Sequence, residues 1–383
     1  DGLIVAELGS GIAAAYCGRL LADCGARVIR VEGPGGDPLR QREEVPDNPA
    51  SAGLLHRWLT AGKTVRQNGA QEVAEQAGLI LLGEDRDGTI SAGGAGTPVV
   101  DFSWFGRTGP YADWQGSDLV VQSLTGMTHL VGPKETPLFM GDLQASMIGG
   151  VTGYIAALTA LLSGEAVSYD LNIFEANIAL SELQVAYAQA SAKRSTRSGI
   201  NRYKPNSPIG IYPCREGWLG ITALTPPQWQ ALCSLLRLDH LAGHPDYDTG
   251  EKRHARVAEL EEMIGAALAE TSASDWAEQG RARRIPMVVV PDADGILTHP
   301  VFAARKALAT LSGEADLKVP RTPFALTATP VREALGDAPT TGAAPFTLGK
   351  ALAGSSGPLA GLRIADFSMG WAGPLATRIL SDL

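Results

Sequence analysis

The chain has 383 residues, 45% of them hydrophobic and 19% charged, with a formal net charge of −9. That length is more than one ordinary domain and enough for a large core, so two domains, or one large domain with a smaller satellite, are expected. The acidic balance argues against a general nucleic-acid surface and leaves room only for local basic pockets.

The chain opens on a short apolar run, Leu3-Ile4-Val5-Ala6-Glu7-Leu8, ended by Gly9-Ser10-Gly11. Helical spacing follows over 12–23, then Gly25 and a second strand, Arg27-Val28-Ile29-Arg30-Val31-Glu32. Strand, glycine turn, helix and strand make a βαβ unit, which implies a parallel sheet covered by helices. Further buried strands are expected at 79–82 and 99–102. Small and apolar residues at helical spacing over 141–162 predict a long buried helix, whose Gly149, Gly150 and Gly153 would let another backbone come close. Next comes Val167-Ser168-Tyr169-Asp170-Leu171-Asn172-Ile173, a strand running into a helix from about Phe174.

Residues 195–208 turn polar, basic and proline-containing, as suits a crossover between domains. A second unit is expected beyond it, with strands near 218–221 and 286–290 and helices near 227–236 and 253–269. The reading in domains is therefore a large α/β domain over 1–210, a small domain over 211–325, and a return segment and linker over 326–357. Residues 358–383 repeat the beginning: Gly361-Leu362-Arg363-Ile364-Ala365-Asp366 matches residues 2–7 in register. Without a gap, Gly370, Ala372, Arg378, Leu380 and Asp382 then match Gly11, Ala13, Arg19, Leu21 and Asp23. One βα arm cannot bury its own apolar face, so this tail either begins a second copy or completes the sheet of the first.

The four cysteines, Cys17, Cys24, Cys214 and Cys233, have neither zinc spacing nor a dense disulfide pattern. Buried reduced thiols and a cytoplasmic location are the expectation. The histidines show no metal-ligand spacing, so no metal is expected. The apolar runs are broken by Gly, Ser, Thr or Gln before they reach bilayer length, and neither a membrane span nor a signal peptide is expected.

The stretch Leu20-Leu21-Ala22-Asp23-Cys24-Gly25-Ala26-Arg27-Val28-Ile29-Arg30-Val31-Glu32, with Gly36-Asp37-Pro38-Leu39-Arg40 after it, resembles the family III (class III, CaiB/BaiF-type) CoA-transferases. Similar agreement, in the same order, lies in Ala61-Gly62-Lys63-Thr64-Val65, in Phe105-Gly106-Arg107-Thr108-Gly109-Pro110-Tyr111 with Gly116-Ser117-Asp118, and over 167–176. The likeness continues through 212–220, 285–286 and 294–300. The resemblance implies a large Rossmann-like α/β domain with a smaller α/β domain, arranged as an interlocked homodimer or as paired modules of a tandem chain.

It also implies coenzyme A as co-substrate, with an acyl-CoA and a carboxylic acid acceptor as partners, and it places Asp170 at the family's catalytic carboxylate. An aspartate suits that role: its ordinary pKa of about 3.9 leaves it ionised at neutral pH without an activating base. The plain alternative is a residue that only caps the following helix. The phosphates of coenzyme A call for cations and helix N-termini, so Arg30, Arg40, Lys63, Arg66 and Arg107 are candidate ligands, Lys63 and Arg107 foremost. Gly11 and Ala13, where the first glycine turn meets its helix, are further candidates. Asp142 resembles a retained family acid or a helix cap.

The sequence departs from the family at Ala14-Ala15, where Gly-Pro is usual, and at 200–205, where a glycine-rich flap is replaced by bulkier basic residues. The position matching the racemase histidine is Ser117, with His129 nearby. Racemase or lyase chemistry on the same fold, and a non-catalytic binding module, stand as the other readings.

Overall fold

The computed structural model describes residues 2–85, 96–191, 196–311, 317–324, 334–335 and 357–383. The first stretch holds β1 (Ile4–Leu8), α1 (Ile12–Asp23), β2 (Arg27–Val31), α2 (Leu54–Thr60), β3 (Thr64–Arg66), α3 (Ala70–Gln76) and β4 (Leu79–Leu82). The second holds β5 (Val99–Ser103), α4 (Asp118–Leu124), α5 (Met127–Leu130), α6 (Gln144–Ser163), β6 (Ser168–Asn172), α7 (Ile173–Ile178) and α8 (Glu182–Ser191). Then come β7 (Ile209–Pro213), β8 (Trp218–Thr222), α9 (Pro226–Leu235), α10 (Gly250–Ala255), α11 (Val257–Leu268), α12 (Ala273–Ala282) and β9 (Met287–Val289). The chain goes on through α13 (Ala293–Thr298), α14 (Pro300–Arg305), β10 (Leu308–Leu311), β11 (Lys318–Pro320) and β12 (Ala334–Leu335) to α15 (Ala372–Asp382).

Packing divides the chain into two compact units: residues 1–126, 141–186 and 304–383 form the first, residues 127–140 and 187–303 the second. In the first unit six strands lie in the order β3-β2-β1-β4-β5-β6, every pair parallel. The strand order reverses between β1 and β4, which is the switch point of a doubly wound sheet. Period-two alternation divides the apolar runs between the two faces. Leu3, Val5, Val28, Leu79, Leu81, Val100 and Phe102 enter one core with α1 and α6, and Ala6, Leu8, Ile29, Val31, Ile80 and Leu82 enter the other with α3.

Of the three glycines of α6 expected to let another backbone come close, Gly150 does so, while Gly149 and Gly153 meet side chains. A Cβ on Gly150 would lie 2.9 Å from the Ala13 carbonyl oxygen of α1, and one on Gly153 would lie 2.2 Å from the buried Phe102 ring. With 20 residues, α6 is also long and apolar enough to cross a membrane, by length and composition. This corrects the expectation that no run reaches that length: its glycines and hydroxyl residues interrupt the pattern without lowering the average. Half of its residues are buried in the fold.

The second unit has a three-stranded antiparallel sheet, β7-β8-β9. Leu219, Ile221, Trp229, Leu232, Leu260, Ile264 and Trp276 pack together in its core. The expected helix over 253–269 is two helices, α10 and α11, broken at Arg256. All four cysteines are free.

The tail does not complete the six-stranded sheet. Residues 361–366 form no strand, and α15 buries no residue. The linker expected over 336–357 lies, except for Gly357, outside the described residues.

Candidate active site

The carboxyl ends of β1 and β4 face each other at the switch point, where open α/β sheets bind ligands. Here the crevice is filled by the protein itself. Glu84, 6% exposed, follows β4 and accepts the N–H groups of Ala13 at 2.7 Å and Ala14 at 3.2 Å. An orphan helix N-terminus favours an anion, and this one has a carboxylate. Gly11, the N-cap, sits at φ 136 without a capping side chain; a Cβ there would fall 2.2 Å from the Glu84 carboxyl group. Burial and the neighbouring Asp85 push the Glu84 carboxyl up to about 7, against the pull of the two N–H groups. The Ala13 and Ala14 N–H groups at this turn are thus taken up by Glu84. No sequence signal beyond a Gly-Glu-Asp step after a strand marks that residue.

Four of the five expected cations lie toward the β3 end of the sheet. Arg30 is buried in β2 and pairs with Glu7 and Asp37. The Lys63 ammonium is buried 2.6 Å from Glu7 Oε2 and 2.7 Å from the Ala15 carbonyl oxygen. Burial brings it down to about 8, against the pull of Glu7. Arg40 forks onto Glu32 at 2.8 and 2.9 Å and keeps nearly half of its side chain exposed. Arg66 is partly exposed beside Glu72, at 3.8 Å. Glu32, Asp37 and His56 have ligand atoms within 4.8 Å of one another. Arg40 binds Glu32 and Arg30 binds Asp37, so two guanidinium groups already face these carboxylates; His56 also bonds Glu32, with burial holding its imidazole below the ordinary histidine pKa.

Asp170 stands in β6, the edge strand, in register with Asp101 of β5. Its side chain is exposed. The turn after β5 folds over it: the Arg107 backbone N–H donates to Asp170 Oδ2 at 3.0 Å, and the Ser103 hydroxyl donates to Oδ1 at 3.4 Å. The same hydroxyl accepts the Gly106 N–H at 2.9 Å. Gly106 has φ +88, a left-handed conformation that side chains rarely adopt, and a Cβ there would lie 3.3 Å from Asn172 Nδ2. Glycine thus lets the turn lie close to the carboxylate.

The cap of α7 is Asn172, whose side chain accepts the Glu175 N–H at 3.3 Å. Asp170 is not needed for that purpose. The Arg107 side chain turns away to Asp101 Oδ1, at 2.7 and 3.1 Å, and to the Phe102 carbonyl.

Of the expected binding residues, only Arg107 lies beside Asp170. Four strand steps of about 4.8 Å separate β6 from β2, or roughly 19 Å. Asp142 is exposed at φ 53 and does not cap α6. Asp118 does that work, accepting the Ser146 N–H at 3.0 Å and its hydroxyl at 2.7 Å. Ser117 caps α4 through the Val120 N–H. In the second unit, segment 200–205 is held by Arg202 forking onto Glu261 at 2.7 to 3.1 Å and by Asn201 donating to the Ile211 carbonyl at 2.7 Å.

A doubly wound α/β unit with an exposed, backbone-held carboxylate at the sheet edge defines a class of enzyme scaffold, and the sequence assigns it more narrowly. Residues 1–65 and 99–344 match the family model described as CoA-transferase family III, and the chain belongs to that family. It is an enzyme of the CoA-transferase kind. It is 26% identical over 362 residues to a succinate–glutarate CoA-transferase of Agrobacterium fabrum, covering 87% of this chain and 90% of that one. It is 27% identical over 399 residues to a probable CoA-transferase, Rv1866, of Mycobacterium tuberculosis, covering 95% of this chain but 50% of that protein. A crystal structure of a CaiB/BaiF family protein from Brucella suis superposes with a TM-score of 0.75 at 22% identity, over 89% of this chain and 95% of that one.

Proposed function

We propose that the protein moves coenzyme A between an acyl-CoA and a free carboxylic acid through covalent intermediates on Asp170. The observation that carries this is the setting of that carboxylate, exposed at the sheet edge with each oxygen held by one donor, Ser103 or the Arg107 N–H. An oxygen of Asp170 attacks the thioester carbonyl, the C–S bond breaks, and coenzyme A leaves as the thiolate while a mixed anhydride remains. The thiolate then attacks the aspartyl carbonyl, giving an aspartyl thioester and releasing the first acid. The acceptor carboxylate and the thiolate repeat these two steps in reverse order, so that Asp170 is regenerated and no electrons change hands. Splitting one acyl exchange into reversible steps is what a covalent nucleophile contributes.

For the co-substrate's phosphates, Arg40 is the best placed of the cations expected from sequence, because nearly half of it reaches solvent. Arg30 and Lys63 act from behind, holding Glu7 and Asp37 in place. The likeness to a succinate–glutarate enzyme makes succinyl-CoA and glutarate the first pair to try. The module works as one partner of a pair, either two copies of this chain or two modules of one longer chain. The second arrangement is favoured by the repeat at 358–383 and by a relative of which this chain covers half.

Incubation with succinyl-CoA, trapping with hydroxylamine or borohydride and mass spectrometry tests the central claim. A modification mapped to Asp170 is expected, and Asp170→Ala should lose all turnover while its melting temperature stays near that of the parent. Full activity in that variant would overturn the mechanism. Solvent deuterium incorporated at the acyl α-carbon, with no acceptor acid present, would favour the racemase reading instead.

A further inference from the structure

We infer that Trp104 is a positioning residue for Asp170, and that its indole hydrogen bond to Asp85 fixes the turn that holds the carboxylate. This rests on the reading of Asp170 given above. Trp104 lies between the two groups that bind Asp170, the Ser103 hydroxyl and the Arg107 N–H. It is fastened on three sides. The indole Nε1–H donates to Asp85 Oδ1 at 2.8 Å. The Trp104 carbonyl accepts the Phe174 N–H at 3.0 Å, in the first turn of α7 just past Asp170's own strand. The ring packs on Gly116 so closely that a Cβ there would fall 2.1 Å from it.

Asp85 is itself tied to the turn after β1. Its N–H donates to the Ser10 carbonyl at 3.1 Å, and its carbonyl accepts the Ser10 hydroxyl at 2.9 Å. A continuous chain of bonds thus runs from the switch-point loops through Trp104 to the turn over Asp170. Neither Trp104 nor Asp85 touches the Asp170 carboxylate, so their effect is on its placement. An angstrom of misplacement at a reacting atom is enough to cost a large factor in rate.

The test compares Trp104→Phe, which keeps a ring and removes the N–H, with Asp85→Ala, which removes the acceptor, and with the double variant. Each single variant should lower kcat for exchange between succinyl-CoA and glutarate about tenfold, because a hydrogen bond to a charged group is lost. KM for succinyl-CoA should stay within about twofold, since the variants change no residue proposed to hold the coenzyme. The double variant should be no worse than either single one, as both remove the same bond.

Hydrogen exchange in the peptide 103–108 should rise about tenfold in each variant, with the rest of the first unit unchanged. That readout needs no substrate. Unchanged exchange at 103–108 in both variants, or wild-type kcat in both, would overturn the proposal, and Asp85→Ala decides alone if Trp104→Phe fails to fold. Asp170→Ala run beside them separates the two claims. Activity in Asp170→Ala removes the mechanism and the positioning role together, whereas an inactive Asp170→Ala with unaffected Trp104 and Asp85 variants removes only the positioning role.

Discussion

Arg30 and Asp170 are both charged residues in motif-like stretches, and the fold treats them oppositely. Asp170 reaches solvent at an edge strand, while Arg30 is enclosed with Glu7 and Asp37 and shares Glu7 with the buried Lys63. Removing one member of such a group strands an uncompensated charge, which costs more than the intact group contributes. Arg30→Met leaves two buried carboxylates facing each other across the site it vacates, and should cost about 3 to 5 kcal/mol in urea unfolding. Lys63→Met leaves Glu7 still paired with Arg30, so its cost should be the smaller of the two. Comparable losses of coenzyme A affinity without a loss of stability would instead mean that these cations face the ligand. A sequence shows that a cation is present beside a glycine turn, but Glu7, which pairs with both cations, lies 23 residues from Arg30 and 56 from Lys63, too far for any local pattern to reveal.

At the scale of elements, what was legible is what local chemistry decides. An apolar run, a glycine turn and a 3.6-residue period placed β1, α1, β2, β4, β5, α6 and β6 within a few residues, because each needs only its own sequence and one buried face. The occupant of the α1 N-terminus was not legible, since Glu84 arrives there from β4 through the sheet order. Its consequence is a dependence on pH. Glu84 titrates near 7 in the folded chain against an ordinary 4.5, so between those values the unfolded chain has released a proton that the folded chain still holds. Stability from this group is therefore complete below about pH 4.5 and falls as pH rises toward 7, by on the order of 3 kcal/mol. Glu84→Gln, which does not ionise, should flatten the unfolding free energy over that window. An unchanged slope would show that the turn takes up water or a counter-ion instead.

Helix α6 shows where packing decides. Gly153→Val would drive a branched side chain into the Phe102 ring, 2.2 Å from where its first carbon must sit. Overpacking of this kind costs about 1 to 3 kcal/mol, and because Phe102 belongs to β5 the disturbance lies next to the Asp170 turn. The variant should lose both melting temperature and kcat.

At the scale of the whole molecule, residues 358–383 carry the sequence of a core unit in a setting where none of it is enclosed. In the first copy Val5, Ala6, Leu8, Ala13, Leu20 and Leu21 are buried. In the tail Phe367 and Met369 are 96% and 94% exposed, and α15 buries nothing. Asp366 accepts from Ser368 and Thr377, both within the tail. The register of this segment with residues 2–23 supports the proposal that it begins a second unit built like the first. If so, the tail contributes nothing to the stability of the module described here. Deleting residues 357–383 should then leave unfolding free energy within about 0.5 kcal/mol of the parent and should improve solubility by removing an exposed apolar stretch. A drop of several kcal/mol would place the tail in this module's own core, and the repeat would then be a duplicated βα unit serving one sheet.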